Sequence, residues 1–137
     1  MDSKKLQQLI DLAYAAQANA HAPYSGFKVG AAVLSKHATT HAGCNVENAA
    51  YPLGQCAEAT AIGNMICAGA EEIDAIVIAS PNNEFCYPCG GCRQKIAEFA
   101  ADSAQVIMVT KQGERNVLTM ADLLPYAFRS ADLASPQ

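Results

Sequence analysis

Cys56-Ala57-Glu58 and, further along, Pro88-Cys89-Gly90-Gly91-Cys92 put three thiols and one carboxylate into two short stretches. Three cysteines can hold a zinc ion and leave its fourth position open, whereas a fourth protein ligand would close the site and make it structural. An open position admits a water that can react. A glutamate beside it can take that water's proton and pass it on. The residue types therefore point to metal-assisted hydrolysis.

Each part has a plainer reading. Cys89-x-x-Cys92 alone also fits a dithiol redox pair or half of a zinc ribbon. Glu58 alone fits a surface glutamate in the first turn of a helix, favoured there by the dipole. The two stretches together favour the hydrolytic site, because Cys56 stands two residues before Glu58 and points it toward the metal. Cys86 complicates the count, since Cys86-Tyr87-Pro88-Cys89 is itself a Cys-x-x-Cys and four cysteines could close a structural site. Cys86 precedes Pro88, outside the helix that aligns the other two, and a closed site would leave Glu58 without a role. Cys44 and Cys67 read as small hydrophobes. His21, His37 and His41 show no ligand spacing.

The elements that must position these groups follow from periodicity and punctuation. Residues 3–20 read as a helix capped by Ser3, with Leu6, Leu9, Ile10, Ala13 and Tyr14 on one face. Residues 27–34 and 41–46 read as paired strands; the connection between them lacks Gly, Asn and Asp, so its geometry stays open. A loop over 45–55 precedes a helix over 56–68, ended by Gly69. Residues 73–79 read as a strand buried on both faces, 89–101 as a helix and 105–110 as another buried strand. A turn around Gly113, a short strand over 116–118 and a helix over 120–124, capped by Thr119 and stopped by Pro125, complete the order. Strands separated by helices predict an α/β fold, a sheet covered on both faces, and the first hairpin makes it mixed. Both halves of the cysteine motif fall at helix starts, where partial positive charge and free N–H groups favour thiolate.

The 137 residues fit one domain, 1–137, and 51% hydrophobic with 16% charged residues allows a core without disulfides. A net charge of -4 without clustered Lys or Arg argues against a nucleic-acid partner. The N-terminus leads into an amphipathic pattern rather than a leader peptide, and no apolar run reaches the roughly 18 residues of a membrane span. The six cysteines are then expected in a reducing cytoplasm.

Two further features concern a ligand. Asn45 and Glu47, an amide and a carboxylate two apart at a strand end, could grip adjacent hydroxyls, although a polar turn is the simpler reading. Phe27 follows a Pro-Tyr-Ser-Gly loop, where core packing is the default and stacking on a planar ligand the alternative.

A Cys followed two residues later by Glu, then Pro-Cys-x-x-Cys, is the pattern of zinc deaminases. Almost the whole chain resembles the small, homotetrameric cytidine deaminases. The matching stretches are Ala22-Pro23-Tyr24-Ser25, Phe27-Lys28-Val29-Gly30-Ala31-Ala32, Gly43-Cys44-Asn45-Val46-Glu47-Asn48-Ala49-Ala50-Tyr51, Cys56-Ala57-Glu58, Pro88-Cys89-Gly90-Gly91-Cys92-Arg93-Gln94 and Leu123-Leu124-Pro125-Tyr126-Ala127-Phe128. The resemblance implies a three-layer α/β/α fold with a mixed five-stranded sheet. It implies one zinc per subunit on Cys56, Cys89 and Cys92, with Glu58 as the proton shuttle. It implies that Asn45 and Glu47 bind the ribose hydroxyls and that Phe27 stacks on or beside the pyrimidine. Ala57, through its backbone, would read the ring's amide edge with Glu58. Phe128 would reach into a neighbouring subunit's site in a homotetramer.

The resemblance implies hydrolysis of cytidine and 2′-deoxycytidine to the uridines in pyrimidine salvage, with release of ammonia. One departure is Ala59, where such proteins often carry Arg after the Cys-Ala-Glu. Three thiolates on zinc leave a net negative charge, and Arg93 and the two helix N-termini are expected to offset part of it. The alternatives are a deaminase of another or modified nucleoside, a base-flipping editor, a closed zinc-binding module and a thiol redox protein.

Overall fold

Alternation of buried side chains decides the layering. In β1 (Gly30–Ser35), Ala31 and Val33 enter one apolar cluster, Ala32 and Leu34 the other. The split continues in β3 (Ile73–Ala79), where Ile76 and Ile78 oppose Ala75, Val77 and Ala79. It runs on through β4 (Ala100–Val109), where Val106 and Met108 oppose Ile107 and Val109. Strands buried on both faces need no polar side, which is why they read as nearly unbroken apolar runs. One face is covered by α1 (Ser3–Gln17) through Leu9, Ile10 and Ala13. The other is covered by α2 (Ala57–Cys67), α3 (Gly90–Phe99) and α4 (Met120–Leu123).

This computed structural model describes residues 1–133; residues 134–137, the end of the single domain expected, lie outside the described residues. With β2 (Thr40–Cys44) and β5 (Arg115–Thr119), the sheet has five strands in the order β2-β1-β3-β4-β5. Only β3 and β4 are parallel; the other pairs are antiparallel. The three-layer architecture and the mixed five-stranded sheet are those expected. The topology also explains how the two cysteine stretches meet. α3 carries the chain from the end of β3 back to the start of a parallel β4, and α2 returns into β3 through the short connection 68–72. Both helices run against β3, so both N-termini gather beyond its C-terminal end, the usual place for an α/β site. Among the described residues no helix is long and apolar enough to cross a membrane.

Several boundaries differ from expectation, each for a local reason. The cap of α1 is Asp2, not Ser3, and its carboxylate accepts from the Lys5 N–H at 2.7 Å. α1 stops at Gln17 because residues 19 and 20 tighten onto carbonyls three back, and His21 then pairs with Val46. β1 starts at Gly30 because the backbone of Phe27 and Val29 bonds the Asn45 side chain instead. The turn without Gly or Asn places Ala38 at φ 66° and is held by the Ser35 and Thr39 hydroxyls, 2.6 Å apart. β4 begins at Ala100, directly after α3, but exposed residues over 101–103 hide its apolar pattern. The 3-10 turns Tyr51–Leu53 and Ser130–Leu133 had no sequence signal.

One contact ties the sheet to the site. A Cβ added at Gly43 would stand 2.3 Å from the Ala61 backbone nitrogen. Gly43→Ala must therefore push α2 off β2. The expected cost is about 3 kcal/mol by thermal or denaturant unfolding, with weaker zinc retention because Cys56 moves with the helix.

Candidate active site

Two helices begin on cysteines. Cys56 is the N-cap of α2 and Cys89 the N-cap of α3; both have extended backbone, and neither side chain caps its helix. Each sulfur is thereby left free at the positive end of a helix dipole. Cys92 is the third residue of α3, on the same face as Cys89. The three sulfurs lie within 4.8 Å of one another. Tetrahedral zinc with sulfurs at about 2.3 Å requires them about 3.8 Å apart, so the trio closes on such an ion with small side-chain adjustments. Cys92 is buried while Cys56 and Cys89 are exposed, which leaves one side of the trio accessible.

The thiols influence one another. The contact with Cys92 holds the Cys56 thiol down at about 6, against a smaller opposing effect of burial. The same contact, together with burial, pushes Cys92 up. Cys86 lies outside the cluster of three. It packs half-buried against the core beneath α2 and α3, where burial pushes its thiol up to about 11.

Glu58, the second residue of α2, is only 5% exposed. Burial raises its carboxyl above the usual range, with contacts to its own N–H and to Cys92 acting the other way. A buried carboxyl beside these sulfurs is placed to accept a proton from a water in the open metal position and return it. Lys95, three residues after Cys92, draws both Cys56 and Glu58 toward their charged forms. Its position one turn along α3 from Cys92 is the one signal of this in the sequence. Arg93 donates from Nε to the Pro88 carbonyl at 2.8 Å and from Nη1 to the Leu123 carbonyl at 2.9 Å. It fixes the approach to Cys89 against the end of α4.

The remaining candidate residues fall on the loops around the helix starts. Asn45 accepts from the Val29 N–H at 2.9 Å and donates to the Phe27 carbonyl at 2.8 Å, so half its capacity already pins this segment. Glu47 accepts from the backbone N–H groups of Tyr24 and Ser25 at 3.0 and 3.1 Å, and from the Ser25 hydroxyl. Phe27 is 41% exposed and thus no core residue. Ala57 is buried at the first position of α2, where a backbone N–H has no partner within its helix. Phe128 is 57% exposed, its carbonyl held by the Gln94 amide at 2.7 Å. A cavity of about 340 Å³ is lined by Tyr24, Ser25, Glu47, Asn48, Tyr51 and Gly54. It takes in Glu47 but not the cysteines, and Gly54 at its edge is two residues from Cys56.

The Ser25 hydroxyl, then its N–H, holds the Glu47 carboxyl below the usual range. The sign follows. Anchoring of the Tyr24-Ser25 loop is complete above the ordinary carboxylate pKa and is lost only as pH falls through the depressed one. Amide exchange at Tyr24 and Ser25 is expected to stay slow at mildly acidic pH. Loss of protection already near neutral pH would contradict this.

Residues 3–110 match the family described as the cytidine and deoxycytidylate deaminase zinc-binding region. The chain is 39% identical over 129 residues to a cytidine deaminase of Sporosarcina psychrophila, covering 94% of this chain and 95% of that protein. It is 39% identical over 127 residues to one from Halalkalibacterium halodurans, covering 93% and 96%. The crystal structure of cytidine deaminase from Burkholderia pseudomallei superposes with a TM-score of 0.86 at 40% identity, over 93% of this chain and all of that one.

Proposed function

We infer the activity from the premise that this chain belongs to the zinc-dependent cytidine and deoxycytidylate deaminase family. It hydrolyses cytidine and 2′-deoxycytidine to uridine and 2′-deoxyuridine, releasing ammonia. The observation that carries this reading is the gathering of three sulfurs within 4.8 Å beside a buried glutamate.

Cys56, Cys89 and Cys92 would hold zinc, which supplies a Lewis acid that makes a bound water reactive near neutral pH. Glu58 takes a proton from the attacking water and delivers it to ring nitrogen N3, which makes carbon 4 electrophilic. The deprotonated oxygen attacks carbon 4; Glu58 then moves that oxygen's remaining proton to the amino group, which leaves as ammonia as the carbon 4 carbonyl forms. Burial of Glu58 supports this double role, since a carboxyl with raised proton affinity accepts and donates more evenly. The Ala57 backbone N–H and Glu58 read the amide edge of the ring. Phe27 stacks beside the pyrimidine, and Asn45 and Glu47 hold the ribose hydroxyls, so the ring is positioned by its sugar. Arg93 supports the Cys89 turn and offsets part of the thiolate charge.

The domain covers 1–137 and the protein works as a cytoplasmic homotetramer in pyrimidine salvage, with sites near subunit interfaces. Exposed Tyr51, Leu53 and Phe128, at 74%, 72% and 57%, support burial of these side chains against other subunits. The test is ammonia release from a substrate panel. Cytidine and 2′-deoxycytidine should turn over, with cytosine and a cytidine-containing oligonucleotide far slower. An oligonucleotide deaminated as fast as the nucleosides would overturn the reading. A modified cytidine preferred over both would instead tie Ala59 to a different substrate.

A further inference from the structure

The segment after α4 is strapped along the metal helix by one arginine. Arg129 Nη1 donates to the carbonyls of Ala97 and Ala100, at 2.7 and 2.9 Å. The first is among the last carbonyls of α3, which lack partners within the helix, and the second belongs to the residue that follows the helix and opens β4. Arg129 Nη2 pairs with the Asp102 carboxylate at 2.8 Å, at the start of β4. The backbone of the same residue donates to Asp132 at 2.8 Å, closing the 3-10 turn Ser130–Leu133. One residue earlier, Gln94 in the middle of α3 donates to the Phe128 carbonyl. The Phe128 carbonyl and the residue that follows it are therefore fixed to the helix that carries Cys89 and Cys92. The ring itself stays 57% exposed and is absent from both apolar clusters.

This is an unusual place to spend a guanidinium. A tail that only closed the core would be held by apolar contacts, yet Ala127 is the only residue beyond Pro125 that packs against either cluster among those described. Tyr126 points fully into solvent at φ 58°, a conformation that a non-glycine residue keeps only where its surroundings enforce it. The hydrogen bonds on the far side of Phe128 supply that enforcement. Such a fork, matched to two carbonyls and a carboxylate at once, orders a segment without covering it.

We propose that Arg129 is a positioning residue, which holds the Phe128 ring in a fixed projection from α3 for the site of a neighbouring subunit. The proposal rests on the reading of Phe128 as a substrate contact made across a subunit interface. A ring ordered in advance loses less freedom when substrate binds, so the strap acts on binding and leaves the chemical step alone.

The test is a double-mutant cycle on the zinc-loaded full chain, reading KM and kcat for cytidine in Arg129→Ala, Phe128→Ala and the double variant. An aromatic contact of the usual strength predicts a KM about tenfold higher in each single variant, with kcat within about twofold and zinc content unchanged. The double variant should be no worse than Phe128→Ala, because both substitutions remove the same contact. Amide exchange over 127–132 should quicken in Arg129→Ala and stay slow in Phe128→Ala. Should Arg129→Ala fail to fold, Arg129→Lys replaces it; that variant keeps the pair with Asp102 but cannot span both carbonyls.

A wild-type KM in Phe128→Ala would remove the substrate contact, and the proposal with it. A defective Phe128→Ala beside an unaffected Arg129 variant would overturn the strap alone. Additive losses in the double variant, or a fall in kcat together with zinc, would mean that Arg129 serves the fold of α3 and not the ring.

Discussion

Glu58→Gln is expected to keep the fold and the zinc and to lower kcat about 10⁴-fold, the upper range for one positioned acid–base group. Glutamine has nearly the shape of glutamate and can still hydrogen-bond within the first turn of α2. It cannot take a proton from water, hold it and return it. The position has little freedom to compensate, since Glu58 is 5% exposed and its neighbours include the sulfurs of the metal site. Among the described residues the metal-binding group is three cysteines without a carboxylate, and Glu58 is the carboxylate whose charge reaches Cys92. Glu58→Asp should fall between the two, with the charge kept and the reach shortened. Zinc content by elemental analysis and kcat by product formation are the two readings. More than a tenth of wild-type turnover in a zinc-loaded Glu58→Gln would remove Glu58 from the mechanism.

The second large effect separates an open site from a closed one. Substituting Ser for Cys56, Cys89 or Cys92 should each abolish measurable activity and reduce bound zinc to a small fraction, because two sulfurs do not hold the ion at working concentrations. Cys92→Ser should also lower stability most, since that side chain, on the buried face of α3, is 1% exposed. Cys86→Ser should retain zinc and most of its activity. Its thiol lies outside the cluster of three sulfurs. Loss of zinc and fold on Cys86→Ser would instead describe a four-cysteine structural site, with Glu58 left unexplained.

The parts of this molecule that were legible in the chain are those with a local cause. β3 has the expected bounds because nearly every residue of Ile73–Ala79 is apolar. α2 ends beside Gly69, whose φ of 93° stops a helix cleanly. The three cysteines could be assigned to one cluster because their spacing places them on two helix starts.

What remained hidden is held by side chains reaching across the sequence. Asn45 reads as a polar turn residue, but its amide replaces the ladder bonds of Phe27 and Val29. Glu47 anchors a loop more than twenty residues earlier, through Tyr24 and Ser25. Arg129 reads as a lone basic residue in a tail until its carbonyl partners in α3 are in view. No window of sequence carries such bonds, since donor and acceptor meet only after the sheet has formed. The resemblance implies roles for Asn45 and Glu47 and is silent on Arg129, which follows its last matching stretch, Leu123 to Phe128.

The most direct test of the central claim is the near-ultraviolet absorbance of cytidine mixed with the zinc-loaded protein. The account predicts a rapid fall as the amino group is lost, abolished by a zinc chelator and restored by added zinc. An unchanged spectrum for cytidine and 2′-deoxycytidine, with about one zinc bound per chain, would contradict it.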